Sequence, residues 1–137
     1  MMESGAILIY LAEKTGRFMT KDNRYEVLQW LMFQMGGVGP MFGQAHHFMR
    51  AKKDEIPYGS ERYGAEAKRL YGVMDKHLAD HQYFTREYTI ADIAIYPWVA
   101  RYEWHRVDLG QFPNVKRWYD AIGARPAVQK GMAVPQV

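Results

Sequence analysis

The sequence contains no cysteine. Disulfide staples, thiolate metal sites and a cysteine nucleophile are therefore excluded, and a thiol-free chain suits a reducing compartment. Charge of one sign is also scarce. The 18 basic and 15 acidic residues leave a formal net charge of only +3. The densest basic group, Arg50-Ala51-Lys52-Lys53, runs straight into Asp54-Glu55. It reads as a solvated helix end, not as the one-signed face that nucleic acid needs. Glu3 and Ser4 stand where a basic n-region would be, so no signal peptide is read. No stretch alternates as a strand would, and no repeat or low-complexity segment is visible. Residues 27–49 lack Asp, Glu, Lys and Arg altogether. Five Gln and His residues, Pro40 and several glycines interrupt that run, whereas a spanning helix wants about 20 predominantly apolar residues. A buried, bent core helix is expected there, with no membrane partner.

What is present is apolar and helical in period. Hydrophobic residues make up 48% of the chain and aromatics 15%, which predicts a packed globular domain rather than a disordered one. Ser4 is the expected N-cap and Gly16 the C′ residue of a first short helix, with Ile7, Leu8 and Leu11 as its apolar stripe. A second helix is predicted from Asp22 or Asn23, bent near Pro40 and resuming to Arg50. Pro57 opens a third. Its inner face is marked by Tyr63, Ala67, Leu70, Met74 and Leu78, and Gly64 and Gly72 suggest close helix contact. Asp80 to Glu87 is a loop. Pro113 starts a later helix with Val115, Trp118, Tyr119 and Ile122 inward. Ala124-Arg125-Pro126 leads to a last turn, and the tail from Ala133 should fray. The class is all-α, with about six helices.

The centre of the chain is Thr89-Ile90-Ala91-Asp92-Ile93-Ala94-Ile95-Tyr96-Pro97-Trp98. Thr89 can cap the first turn, and Asp92 falls where its carboxylate reaches back to the Thr89 amide. Tyr88 and Ile93 are placed as a hydrophobic staple. An ionisable Asp in so apolar a helix requires filled hydrogen bonds, and capping fills them. Thr89 and Asp92 are thus read as a structural capping box, and Pro97 as a kink.

Three strings now combine: Glu3-Ser4-Gly5-Ala6-Ile7 opening a short helix, Thr89-Ile90-Ala91-Asp92 opening a buried one, and Trp118-Tyr119-Asp120-Ala121-Ile122 followed by Arg125-Pro126-Ala127. Together they resemble a cytosolic glutathione transferase, from Glu3 to about Arg125. Gln29-Trp30-Leu31, Gly36 to Met41, Gly43 to Phe48, Ile56-Pro57-Tyr58 and Glu61-Arg62-Tyr63 are similar to the nu-class, or disulfide-bond oxidoreductase-like, branch. The resemblance implies a glutathione transferase C-terminal-like helical bundle over 17–137. Residues 1–16 would be the last helix of a truncated thioredoxin-like, glutathione-binding domain. Met1-Met2 would then be an internal start, a misassigned gene start or a fragment boundary.

Glutathione presents an α-ammonium and an α-carboxylate at its γ-glutamyl end. Ser4 at a helix N-terminus offers a hydroxyl and free amides, and Glu3 beside it could pair with the ammonium. Read from the residues alone, a plain N-cap is the preferred reading of Ser4, and the family resemblance reverses that preference. The resemblance implies that Glu3 and Ser4 are glutathione contacts, and that Arg69 reaches glutathione across a homodimer interface. It also implies a cytoplasmic, glutathione-dependent transferase or disulfide oxidoreductase whose nucleophile is the bound thiolate. Its second substrate would be a small electrophile or a disulfide. The alternative is a non-catalytic interaction module of the same fold. His77 and His81 share a helix face but lack a third ligand, so no metal is expected. His46 and His47 lie on the central helix, which should line a cleft.

Overall fold

The computed structural model describes residues 1–52 and 55–134. Every regular element among them is helical: α1 (Ser4–Thr15), α2 (Arg24–Phe33), α3 (Gly39–His46), α4 (Pro57–Leu78), α5 (Ile90–Val99), α6 (Pro113–Gly123) and α7 (Pro126–Met132). The charge cluster expected at Arg50 to Glu55 and the frayed tail lie partly outside the described residues. The second helix is expected to bend near Pro40; what interrupts it is two wide turns. π-helical segments at Gln34–Val38 and His47–Ala51 flank α3, so α2 and α3 run on as one rod. Gly36-Gly37 sits inside the first π segment, where the missing side chains ease the extra residue per turn.

Two cores form. The larger joins α3, α4, α5 and α6, with Phe42, Leu70, Tyr71, Met74, Ile95 and Trp118 sealed at its centre. On α4 the buried residues Ala67, Leu70, Met74 and Leu78 are those the helical spacing marked. Of the two glycines marked in its interior, Gly64 is a close approach, because an added Cβ would lie 2.2 Å from Met49 Cε. Gly72 has open space around it and carries no such constraint. The smaller core joins Ala12 of α1 to Met19, Val27, Leu31 and Ile90.

The first helix departs from expectation in two ways. Gly5 and Ala12 are its buried residues, with Leu8 and Ile9 partly covered, while Ile7 and Leu11 face outward. Glu3, not Ser4, is the N-cap residue, and no side chain caps that end. Gly16 closes the helix in the left-handed region at φ 65°, which glycine adopts without a Cβ penalty.

The α5 cap holds these cores together. Both halves of the Thr89–Asp92 capping box are present, and both residues are fully buried. Asp92 does more than cap. Its Oδ2 accepts the Thr89 amide at 2.9 Å, and its Oδ1 accepts the Trp118 indole N–H at 2.8 Å and the Phe84 amide at 3.2 Å. One carboxylate therefore ties the loop before α5, α5 itself and α6. Burial pushes its pKa up, and the four donors, the Thr89 hydroxyl included, pull against that rise. Tyr88 and Ile93 both line one cavity, and Pro97 lies inside α5.

A second carboxylate works the same way. Asp75 of α4 accepts the Asn114 and Val115 amides at 2.8 and 3.0 Å, capping α6 from outside its own chain segment. Arg117 of α6 answers by donating to the carbonyls of Leu78 and His81 at 2.7 and 2.8 Å, near the C-terminus of α4. Each helix satisfies the other's free end.

Two histidines, His46 and His105, pack together at the larger core, His105 buried and His46 half-buried. Their rings stack at 4.5 Å and 7°. Burial, helped by Arg101, holds His46 at about 4 and His105 at about 3. Both are neutral at pH 7.

Two outcomes are expected from this packing. Thr89→Ala should cost about 1 kcal/mol, lowering the melting temperature by about 3 °C. Asp92→Ala leaves buried donors unpaired and should cost at least about 3 kcal/mol. Equal melting of either variant and the parent would contradict the assignment. The unfolded chain protonates both histidines below pH about 6.5, and the fold does not. Stability should therefore fall as pH drops from about 6.5 toward 4. His105→Gln should flatten that slope in urea titrations between pH 7.5 and 5.

Candidate functional site

The N-terminus of α1 is the first candidate. Glu3 has φ 67°, a region uncommon for a residue with a Cβ. That turn throws both Glu3 and Ser4 into solvent. The Ser4 hydroxyl lies 3.9 Å from Met35 Sδ, a weak contact. With no side-chain cap, the first-turn amides remain available to an anion at the positive end of a 12-residue helix.

Below them is a cavity of about 440 Å³ walled by Ser4, Leu8, Gln34, Ile93, Trp98 and Arg101, among others. It lies between α1, the first π segment and α5. Gln34 is only 5% exposed, and its Oε1 has no hydrogen-bond partner among the described residues. An acceptor so buried costs free energy unless something fills it. Gly39 makes room for this side chain: a Cβ there would sit 2.8 Å from Gln34 Nε2 and 3.4 Å from Trp98. The cavity thus offers one cation, one buried carboxamide and an apolar wall beside a free helix N-terminus. That set suits a small, polar, carboxylate-bearing molecule.

Arg69 lies elsewhere. It sits on the exposed face of α4, paired through Nε and Nη2 with both Glu66 oxygens at 2.8 Å. This pairing raises the arginine and lowers Glu66. Arg69 lines a separate cavity of about 410 Å³ with Met41, Arg62, Tyr63 and Glu66. Within one chain, Ser4 and Glu3 come together and Arg69 does not join them.

His77 and His81 are spent on structure. His77 Nε2 meets the Phe84 carbonyl at 3.0 Å, and His81 Nδ1 meets the His77 carbonyl at 2.9 Å. Among the described residues no group of three or more His, Asp or Glu could hold a metal ion. None of the described helices is long and apolar enough to cross a membrane. Gln34, Trp98 and Arg101 are the site residues that sequence reasoning did not single out. The one available signal was Gln34, a polar residue at the edge of a Gly-Gly pair inside a charge-free run.

The fold is shared by known proteins. Residues 57–121 match the family described as glutathione S-transferase, C-terminal domain. The disulfide-bond oxidoreductase YfcG of Escherichia coli is 47% identical over 140 residues, covering 100% of this chain and 65% of YfcG. For YghU of the same organism, also named a disulfide-bond oxidoreductase, identity is 40%, over 98% of this chain and 50% of YghU. The chain thus spans between half and two thirds of the length of these relatives. A glutathione transferase from Pseudomonas putida, solved with one glutathione disulfide bound per subunit, superposes with a TM-score of 0.93. It is 49% identical and covers 98% of this chain and 63% of its own. Fold, identity and family match agree: the chain belongs to the glutathione transferase family, in its nu-class branch, and carries the C-terminal helical domain.

Proposed function

We propose that this chain is the C-terminal part of a glutathione-dependent disulfide oxidoreductase. The observation that carries the reading is the uncapped α1 N-terminus, with Glu3 and Ser4 exposed beside the Gln34–Arg101 cavity. The γ-glutamyl carboxylate would take the Ser4 hydroxyl and first-turn amides, and Glu3 would pair with the ammonium. Arg69 would serve a second copy's site in a homodimer, which accounts for its distance from Ser4 in sequence and its separate cavity. Residues 1–16 would belong with a thioredoxin-like unit, and 17–137 would form the helical domain.

In the whole protein the nucleophile would be the glutathione thiolate. It attacks one sulfur of a substrate disulfide, forms a mixed disulfide with glutathione, and expels the other sulfur as a thiolate. Conjugation of a small electrophile uses the same nucleophile, with the leaving group departing instead. The disulfide reaction is preferred because YfcG and YghU are named for it, and because the P. putida relative holds glutathione disulfide.

The test is a titration of this chain with reduced and oxidised glutathione, followed by amide NMR. The resonances of Ser4, Gly5 and Gln34 should shift saturably. Glu3→Ala and Ser4→Ala should each weaken binding about tenfold, the scale of one charge-assisted contact. Shifts that never saturate, or that survive both substitutions unchanged, would remove the glutathione reading from this chain.

A further inference from the structure

A third cavity, of about 360 Å³, lies on the far side of α4, between that helix, the second π segment and the 3-10 turn Tyr102–His105. Ser60, Gly64, Lys68, His105 and Met49 are on its wall. Nothing in the glutathione reading uses it.

Two of those residues carry buried polar atoms without a partner. Ser60 is 8% exposed and His105 1%. Neither Ser60 Oγ nor His105 Nε2 has a hydrogen-bond partner among the described residues. Native interiors rarely leave such atoms bare, and two on one cavity wall call for an occupant. The chemistry of that occupant follows from Tyr71. Its hydroxyl lies 3.1 Å from His105 Nδ1. Burial keeps the phenol protonated and the imidazole neutral, so they share one proton across that contact. We assign the phenol as donor, because the reverse would strand a buried phenol proton. His105 then carries its own proton on Nε2. The unspent group is a donor, and so is the Ser60 hydroxyl.

The charges at the rim complete the set. Lys68 stands one turn beyond Gly64 on α4 and supplies an ammonium. Arg106 follows His105, with its guanidinium engaged on the Met49 carbonyl at 2.9 Å. Glu61 is the carboxylate on the wall. Gly64 lets Met49 close against the cavity, since a Cβ would occupy the place of Met49 Cε.

We propose that this cavity binds a small carboxylate, its oxygens taking the Ser60 hydroxyl, the His105 Nε2–H and the Lys68 ammonium. A monoanion is favoured over a dianion, because Glu61 offsets part of the positive charge. A neutral guest would leave Lys68 unused.

The test uses this chain with 15N-labelled histidine. Sodium acetate is titrated against sodium chloride at constant ionic strength, following the imidazole resonances. The free protein should show His105 with its proton on Nε2. Acetate should move that resonance saturably, and chloride should not. Lys68 is exposed and the Ser60 hydroxyl is unpartnered, so Ser60→Ala and Lys68→Ala should fold normally. Each should weaken acetate about tenfold. Inorganic phosphate at pH 7.5, mostly dianionic, should bind more weakly than acetate, and tighter phosphate would overturn the carboxylate assignment. A proton on Nδ1, an acetate response matched by chloride, or unchanged affinity in both variants would overturn the site.

Discussion

The structure depends on one buried carboxylate. Asp92 accepts hydrogen bonds from residues 84, 89 and 118, and so fixes the positions of a loop, the start of α5 and the middle of α6. Removing a charged group from water is costly, and here the cost is met by donors supplied from three segments at once. Because α5 packs on α1 and α2 as well as on α6, the register set at its N-terminus is passed to both cores. The cavity beside Ser4 inherits its shape from this, since Ile93, Pro97 and Trp98 are presented by the same helix.

Different parts of the fold were legible to different depths. The Thr89–Asp92 box is local, four residues in one segment, and its chemistry can be read directly. That Trp118 completes it could not be read, because the partner is 26 residues away and any buried tryptophan could have served. The Asp75 cap on α6 was missed for the same reason: on its own helix Asp75 looks like a solvated charge. Helix faces followed periodicity where one side is clearly polar, as on α4. They failed on α1, where nearly every residue is apolar and only the neighbours decide which side is buried.

The candidate site shows the same division. Glu3 and Ser4 were found through a motif, yet their roles exchanged at the helix start. The residue expected to cap lies inside the helix, and the one beside it turns the chain at positive φ. That exchange frees the serine hydroxyl and the first-turn amides for a ligand instead of spending them on the helix. Gln34 escaped notice because its importance lies in an unfilled acceptor, a property of burial and not of sequence. His46 and His105 show the reverse case. Histidine in a cleft invites a catalytic role, but burial, helped by Arg101, holds both neutral, so they act as stacked, uncharged packing groups with one or two polar atoms to satisfy.

The central claim, that Asp92 locks three segments into one unit, can be read by native-state hydrogen exchange. The Phe84 amide, the Thr89 amide and the Trp118 indole N–H all donate to this carboxylate. They should exchange only through global unfolding, with one common opening free energy that falls in parallel as urea is added. If the Trp118 indole or the Phe84 amide opens locally, well below the free energy of global unfolding, Asp92 is a helix cap and not the lock of the fold.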